Sequence, residues 1–145
     1  MTDIPMKYLL QRFAIVYLLA TLALAVLGAV LEHVFEISTS SATGVVPLLA
    51  TAVDMGQSFF RKTGRVPEKY ESWRLARWGA VVSMGLSLIL MSLFIAINPN
   101  EMTEVLATVG IAGLLFILAV VLLVSFLLIR FFVAMGAKGL AKASM

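Results

Sequence analysis

The chain has 145 residues, 61% of them hydrophobic, and a mean hydropathy of +1.04. Soluble domains carry roughly 45–50% apolar residues, so the solvent implied here is the bilayer, and the length suits one domain. Cysteine is absent, which excludes disulfides, thiolate catalysis and thiolate metal centres, and the net charge of +3 gives no case for nucleic acid once its distribution along the chain is followed.

Four apolar runs order the sequence: 13–31, 45–60, 79–97 and 105–129. Each is read as a transmembrane helix, which predicts an all-α, polytopic four-helix bundle with no separate soluble module. Lys7 and Arg12 precede the first run. Arg61, Lys62, Arg65, Lys69, Arg74 and Arg77 fall between the second and third, and Arg130, Lys138 and Lys142 lie at or beyond the end of the fourth. These are all eleven Lys and Arg residues, whereas the first and third connections carry Glu32, Glu36, Glu101 and Glu104. Basic residues are retained on the cytoplasmic side, so this distribution predicts both termini and loop 61–78 to be cytoplasmic. A basic rim of this kind attracts anionic lipid headgroups.

Lys7 and Arg12 before an apolar stretch, with Ala23-Leu24-Ala25 inside it, have some features of a signal peptide. The apolar run continues past that point to Leu31, so it is expected to remain as a span that also directs insertion. Thr21, Ala25 and Ala29 recur every fourth residue on it and form a small-residue packing or partner face. The polar sequence 38–44 reads as a turn. The second run starts with Val45-Val46-Pro47, where proline suits a first helical turn.

That second run is the shortest and most polar, and it contains Asp54. A charge near the bilayer centre costs roughly 2.5–3.5 kcal/mol on insertion scales. Ala50, Asp54, Gln57, Ser58 and Arg61 share one helical stripe, so Asp54 is expected to face other helices. It is a candidate proton or cation relay, or a structural group that hydrogen-bonds between helices or meets Arg61 through water.

In the basic loop, Arg61–Arg65 ends with a helix stop at Gly64, and Pro67 with Glu68 restarts a helix. A short interfacial helix over 67–77 is expected, with Tyr70, Trp73, Trp78, Arg65, Arg74 and Arg77 as headgroup-level anchors and a cation–π contact between Tyr70 and Arg74. Gly79, Ser83 and Ser87 form a second four-spaced face on the third run. Asn98-Pro99-Asn100 is read as a turn, Thr103 as the cap of the fourth helix, and the residues after Arg130 as a tail along the interface.

Catalytic, cofactor and metal sites are not expected. His33 is the chain's one histidine, beside Glu32 and Glu36 at the end of the first run. A metal site needs three or four converging ligands, and an acidic membrane rim accounts for these residues better. No Ser–His–acid set can be assembled, and the eight methionines read as packing residues.

Val46-Pro47, Gly56, Phe59, Gly64-Arg65, Pro67, Glu71 and Trp73-Arg74-Leu75-Ala76 together resemble an uncharacterised family of small bacterial four-span inner-membrane proteins. The resemblance implies a bacterial inner-membrane location and a constrained cytoplasmic loop, and it carries no activity. The overall expectation is a non-catalytic accessory subunit of a larger membrane assembly or a homo-oligomer. The alternative is an oligomeric small transporter or channel component that uses Asp54 for coupling. For topology, Arg65→Cys is expected to react with a membrane-impermeant thiol reagent only after the membrane is opened, in inverted vesicles or permeabilised cells. Labelling in intact cells contradicts the assignment.

Overall fold

The computed structural model describes residues 5–35 and 42–145. They form four helices: α1 (Met6–Phe35), α2 (Ala42–Thr63), α3 (Lys69–Ile97) and α4 (Pro99–Ala143). Three of these, α1, α3 and α4, are long and apolar enough to cross a membrane. α2, with Asp54, Arg61 and Lys62 in it, is more polar and packs against α1 and α4. Most of the 38–44 turn lies outside the described residues, and α2 already begins at Ala42.

The core lies towards one end of the bundle and follows helical spacing on every element. Leu9, Phe13 and Tyr17 come from α1; Leu48, Ala52, Met55 and Phe59 from α2. Leu75, Ala76 and Ala80 come from α3, and Ile129, Val133 and Ala137 from α4. Residues three or four apart stack on one face, so each helix contributes one stripe to this centre. The rings of Phe13 and Tyr17 are parallel, with centroids 6.2 Å apart. Away from this centre the helices expose their apolar side chains, including Leu19, Val26, Leu93, Phe94, Ile111 and Phe116. Contiguous apolar surface on that scale belongs in lipid or against another chain.

The closest approach is between α2 and α4. A Cβ on Gly56 would collide with the Val133 carbonyl and stand 3.0 Å from the Ala137 nitrogen. A Cβ on Gly136 would meet the Val53 carbonyl and, at 3.0 Å, the Val53 Cα. The two backbones therefore touch through reciprocal glycines. In lipid this matters because close backbone approach, not hydrophobicity, drives helices together.

Several local expectations are corrected. No separate interfacial helix precedes the third span: α3 runs unbroken from Lys69 through Trp78 to Ile97. Gly79 does not break it, because that glycine is packed against Ile129 and Met55. The helix begins after Glu68, not at Pro67, and Gly64 makes the turn before it with φ +69°, a left-handed conformation that glycine adopts without strain. Asn98 alone separates α3 from α4, with Pro99 in the first turn, so Thr103 is inside the helix and is not its cap. α4 is interrupted at Gly110 (φ 70°, ψ 168°) and then continues to Ala143. Its last part is not a tail separate from the bundle: one face, through Val133, Gly136 and Ala137, packs against α2, while Phe131, Met135 and Lys138 on the other side are exposed.

Gly136→Ala is expected to lower thermal stability in detergent by roughly 1–3 kcal/mol through overpacking. Gly139→Ala, where nothing lies within 4 Å of the added methyl, is expected to be neutral or slightly stabilising. Unfolding midpoints of the two variants check the pair.

Candidate functional site: a polar cluster between the first two helices

α1 and α2 run antiparallel, which places the start of α1 beside the end of α2. Arg12, six residues into α1, therefore comes level with Asp54, nine residues before the end of α2. Arg12 Nε donates to Asp54 Oδ2 at 2.8 Å and Nη2 donates to Oδ1 at 2.9 Å. This two-pronged geometry matches the planar guanidinium to the planar carboxylate and is the strong form of such a pair. Nη1 also donates to the Tyr8 hydroxyl at 3.3 Å. Lys62 Nζ lies 4.4 Å from the centroid of the Tyr8 ring. Tyr8, Arg12, Asp54 and Lys62 thus form one polar cluster. The paired side chains are 34% and 25% exposed, so it lies on the flank of the bundle, partly shielded.

The stripe expected around Asp54 divides in the structure. Gln57 is half-buried, Ser58 is buried, and Arg61 and Ala50 are exposed. Asp54 reaches Arg12, not Arg61. The Ser58 hydroxyl is buried and, among the described residues, has no hydrogen-bond partner. The antiparallel α1–α2 hairpin and the helical rise could have suggested Arg12 as a partner from sequence. Its position before an apolar run made it read instead as an orientation signal.

A second polar construction holds the 64–71 turn. Arg65 donates to both carboxylate oxygens of Glu71 at 2.6 Å, and the Glu68 backbone N–H donates to Glu71 Oε2 at 2.9 Å. Glu71 therefore clasps the loop from inside the first turn of α3, where a carboxylate also favours the helix N-terminus. The hydrogen bonds to Glu71 push the Arg65 guanidinium above its ordinary pKa. Arg65 also lies over the Phe59 ring. Of the expected anchors, Trp73 meets Phe126 with tilted rings and lies beneath Arg130, and it is exposed, as are Tyr70, Arg74, Arg77 and Trp78. The Tyr70–Arg74 cation–π pair is not among the contacts of the described residues; Arg130 over Trp73 is.

The two small-residue faces have different fates. Gly79 and Ser83 are buried in the bundle, and the Ser87 and Tyr17 hydroxyls are 3.0 Å apart, joining α3 to α1. Thr21 donates back to the Tyr17 carbonyl, while Ala25 and Ala29 are exposed. A cavity of about 410 Å³ lies among the helices and is lined by Tyr17, Leu48, Ser83, Ser87 and Ser125 with apolar neighbours. Neither Asp54 nor Arg12 lines it. Among the described residues no three metal-ligating side chains converge, and Glu36 of the acidic rim lies outside them.

Comparison of the chain with protein-family models, curated proteins and solved structures finds no match. The functional reading therefore rests on the site's own geometry. Arg12→Gln is expected to destabilise the protein by roughly 1–3 kcal/mol, because it leaves a shielded carboxylate without its charged donors. Adding Asp54→Asn is expected to recover part of that loss. A double-mutant cycle on thermal unfolding measures the coupling.

Proposed function

We propose that the protein is a four-span integral membrane protein that serves as a non-catalytic interaction subunit of a larger membrane assembly. In this reading α2 crosses the bilayer as well. Its 22 residues are about 33 Å long, and its polar face is sheltered against α1 while its glycine face meets α4. The cationic segments place both termini and the 64–71 turn on the cytoplasmic side. The resemblance in the Gly64–Ala76 region favours a bacterial inner membrane.

The observation that carries the proposal is the unpartnered face of α1. Ala25 and Ala29 are exposed one helical turn apart, flanked by the exposed Leu22 and Val26. Small side chains at this spacing permit a second helix to pack closely. The pairing of Asp54 supports the same reading, because a neutralised acid away from the central cavity is a poor coupling residue.

The second reading, an oligomeric transporter or channel component, draws on that cavity, where Tyr17 and three serines face apolar walls. It still requires Asp54 to exchange a proton or cation. Ala25→Leu with Ala29→Leu is expected to abolish stoichiometric co-purification of a partner, or self-association, from mild detergent while leaving the unfolding midpoint unchanged. Asp54→Asn is expected to leave ion flux in proteoliposomes unaffected. Loss of a measurable flux in Asp54→Asn favours the transport reading instead.

A further inference from the structure

A groove runs along the outer face of the α3–α4 hairpin. Its walls are Ala80 and Val81 on α3 and Ala119, Leu122, Leu123 and Phe126 on α4, and its volume is about 550 Å³. Its one charged lining residue, Arg77, stands at the end where α3 begins. Helical spacing explains the construction. On α3, residues 73, 77 and 81 share a stripe, and on α4 residues 119, 122/123, 126 and 130 do the same. Each stripe therefore passes from apolar wall to cation and aromatic. Trp73 meets Phe126 with ring centroids 5.3 Å apart, and the Arg130 guanidinium sits 4.5 Å over the Trp73 ring.

We infer that this groove is a binding site for an anionic phospholipid, with an acyl chain between α3 and α4 and the phosphate at Arg77 and Arg130. The inference rests on α3 and α4 lying in the bilayer, and it names the partner of that face. Charge complementarity selects the occupant. Arg77 is exposed and takes part in neither ion pair of the described residues, and Arg74 is exposed one turn before it. The Glu71 carboxylate, the acid nearest in sequence on α3, is occupied by Arg65. The mouth is thus a set of arginines whose local acid is already engaged. Arginine presents a planar fork suited to phosphate oxygens. Tryptophan at that level matches the headgroup boundary. The apolar walls below extend about 10 Å from Phe126 to Ala119 by helical rise, which suits a hydrocarbon tail and no polar ligand.

Trp73 supplies a reporter for the test. Trp78→Phe leaves Trp73 as the single tryptophan, since the chain has two. The purified protein would be reconstituted in phosphatidylcholine vesicles containing a minor fraction of a lipid brominated on its acyl chains, either phosphatidylglycerol or phosphatidylcholine. Quenching by brominated phosphatidylcholine alone establishes that Trp73 lies in the bilayer; its failure sinks the membrane reading, not the site alone. The inference requires the brominated phosphatidylglycerol to quench more strongly at equal fraction. Arg77→Gln should lower that preference by roughly fivefold, the effect of ~1 kcal/mol per basic residue at an anionic surface. Arg61→Gln removes the same charge from the exposed end of α2 and should leave the preference intact. Ala119→Phe fills the groove without changing charge and should abolish it. Equal quenching by both lipids, equal loss in Arg61→Gln and Arg77→Gln, or a preference that survives Ala119→Phe overturns the site.

Discussion

The bidentate pair between Arg12 and Asp54 is the interaction on which the arrangement of this bundle depends. An unpaired carboxylate inside an apolar helix is costly to bury, and α2 is the helix that carries one. By meeting a guanidinium from α1, Asp54 gains a charged partner on the flank of the bundle, and α2 can pack between α1 and α4. The same contact sets the register of the α1–α2 hairpin. Once that register is set, Tyr8 falls next to Lys62, and Phe13 can enter the core beside residues of α2. Burying a charge pair contributes little net stability by itself, and breaking one side of it costs more than the pair contributes. Its value here is positional.

The other side of α2 is held by a different kind of force. Gly56 and Gly136 remove the side chains that would keep α2 and α4 apart, and the backbones come into direct contact. Polar pairing on one flank and glycine packing on the other leave α2 with little need for the hydrophobicity that α1, α3 and α4 possess. This accounts for a helix more polar than the other three packing between two strongly apolar ones. It also accounts for the asymmetry of the molecule. The helices converge where these two contacts operate, and elsewhere they present exposed leucine, valine, isoleucine and phenylalanine.

Function follows from that asymmetry. The converged end holds the two ion pairs and the loop clasped by Glu71, so Asp54 and Glu71 are committed to structure, while Arg61, Arg74 and Arg77 remain exposed. The surfaces on which the two proposals rest are the small-residue face of α1 and the groove between α3 and α4, which lie on different elements, so the proposed partner helix and the proposed lipid would not compete for the same contacts.

The runs of apolar residues were sufficient by themselves to determine an all-α bundle with helices long and apolar enough to cross a membrane, whereas the four-spaced Gly79, Ser83 and Ser87 divide in the structure, the first two buried and Ser87 exposed. Gly64 and the polar turn after it were legible for a local reason: backbone conformation there depends on a few adjacent residues. Only tertiary structure decided that Asp54 meets Arg12, that Trp73 contacts Phe126 and Arg130 of α4, that α3 absorbs the expected interfacial helix, and that Val133 and Ala137, past Arg130 on α4, join the core. Each of these depends on residues distant in the chain, and a charge or a glycine looks the same in sequence whichever neighbour the folded chain brings to it. Helix formation is local and periodic, whereas the choice of packing partner is set by the register of whole helices against one another.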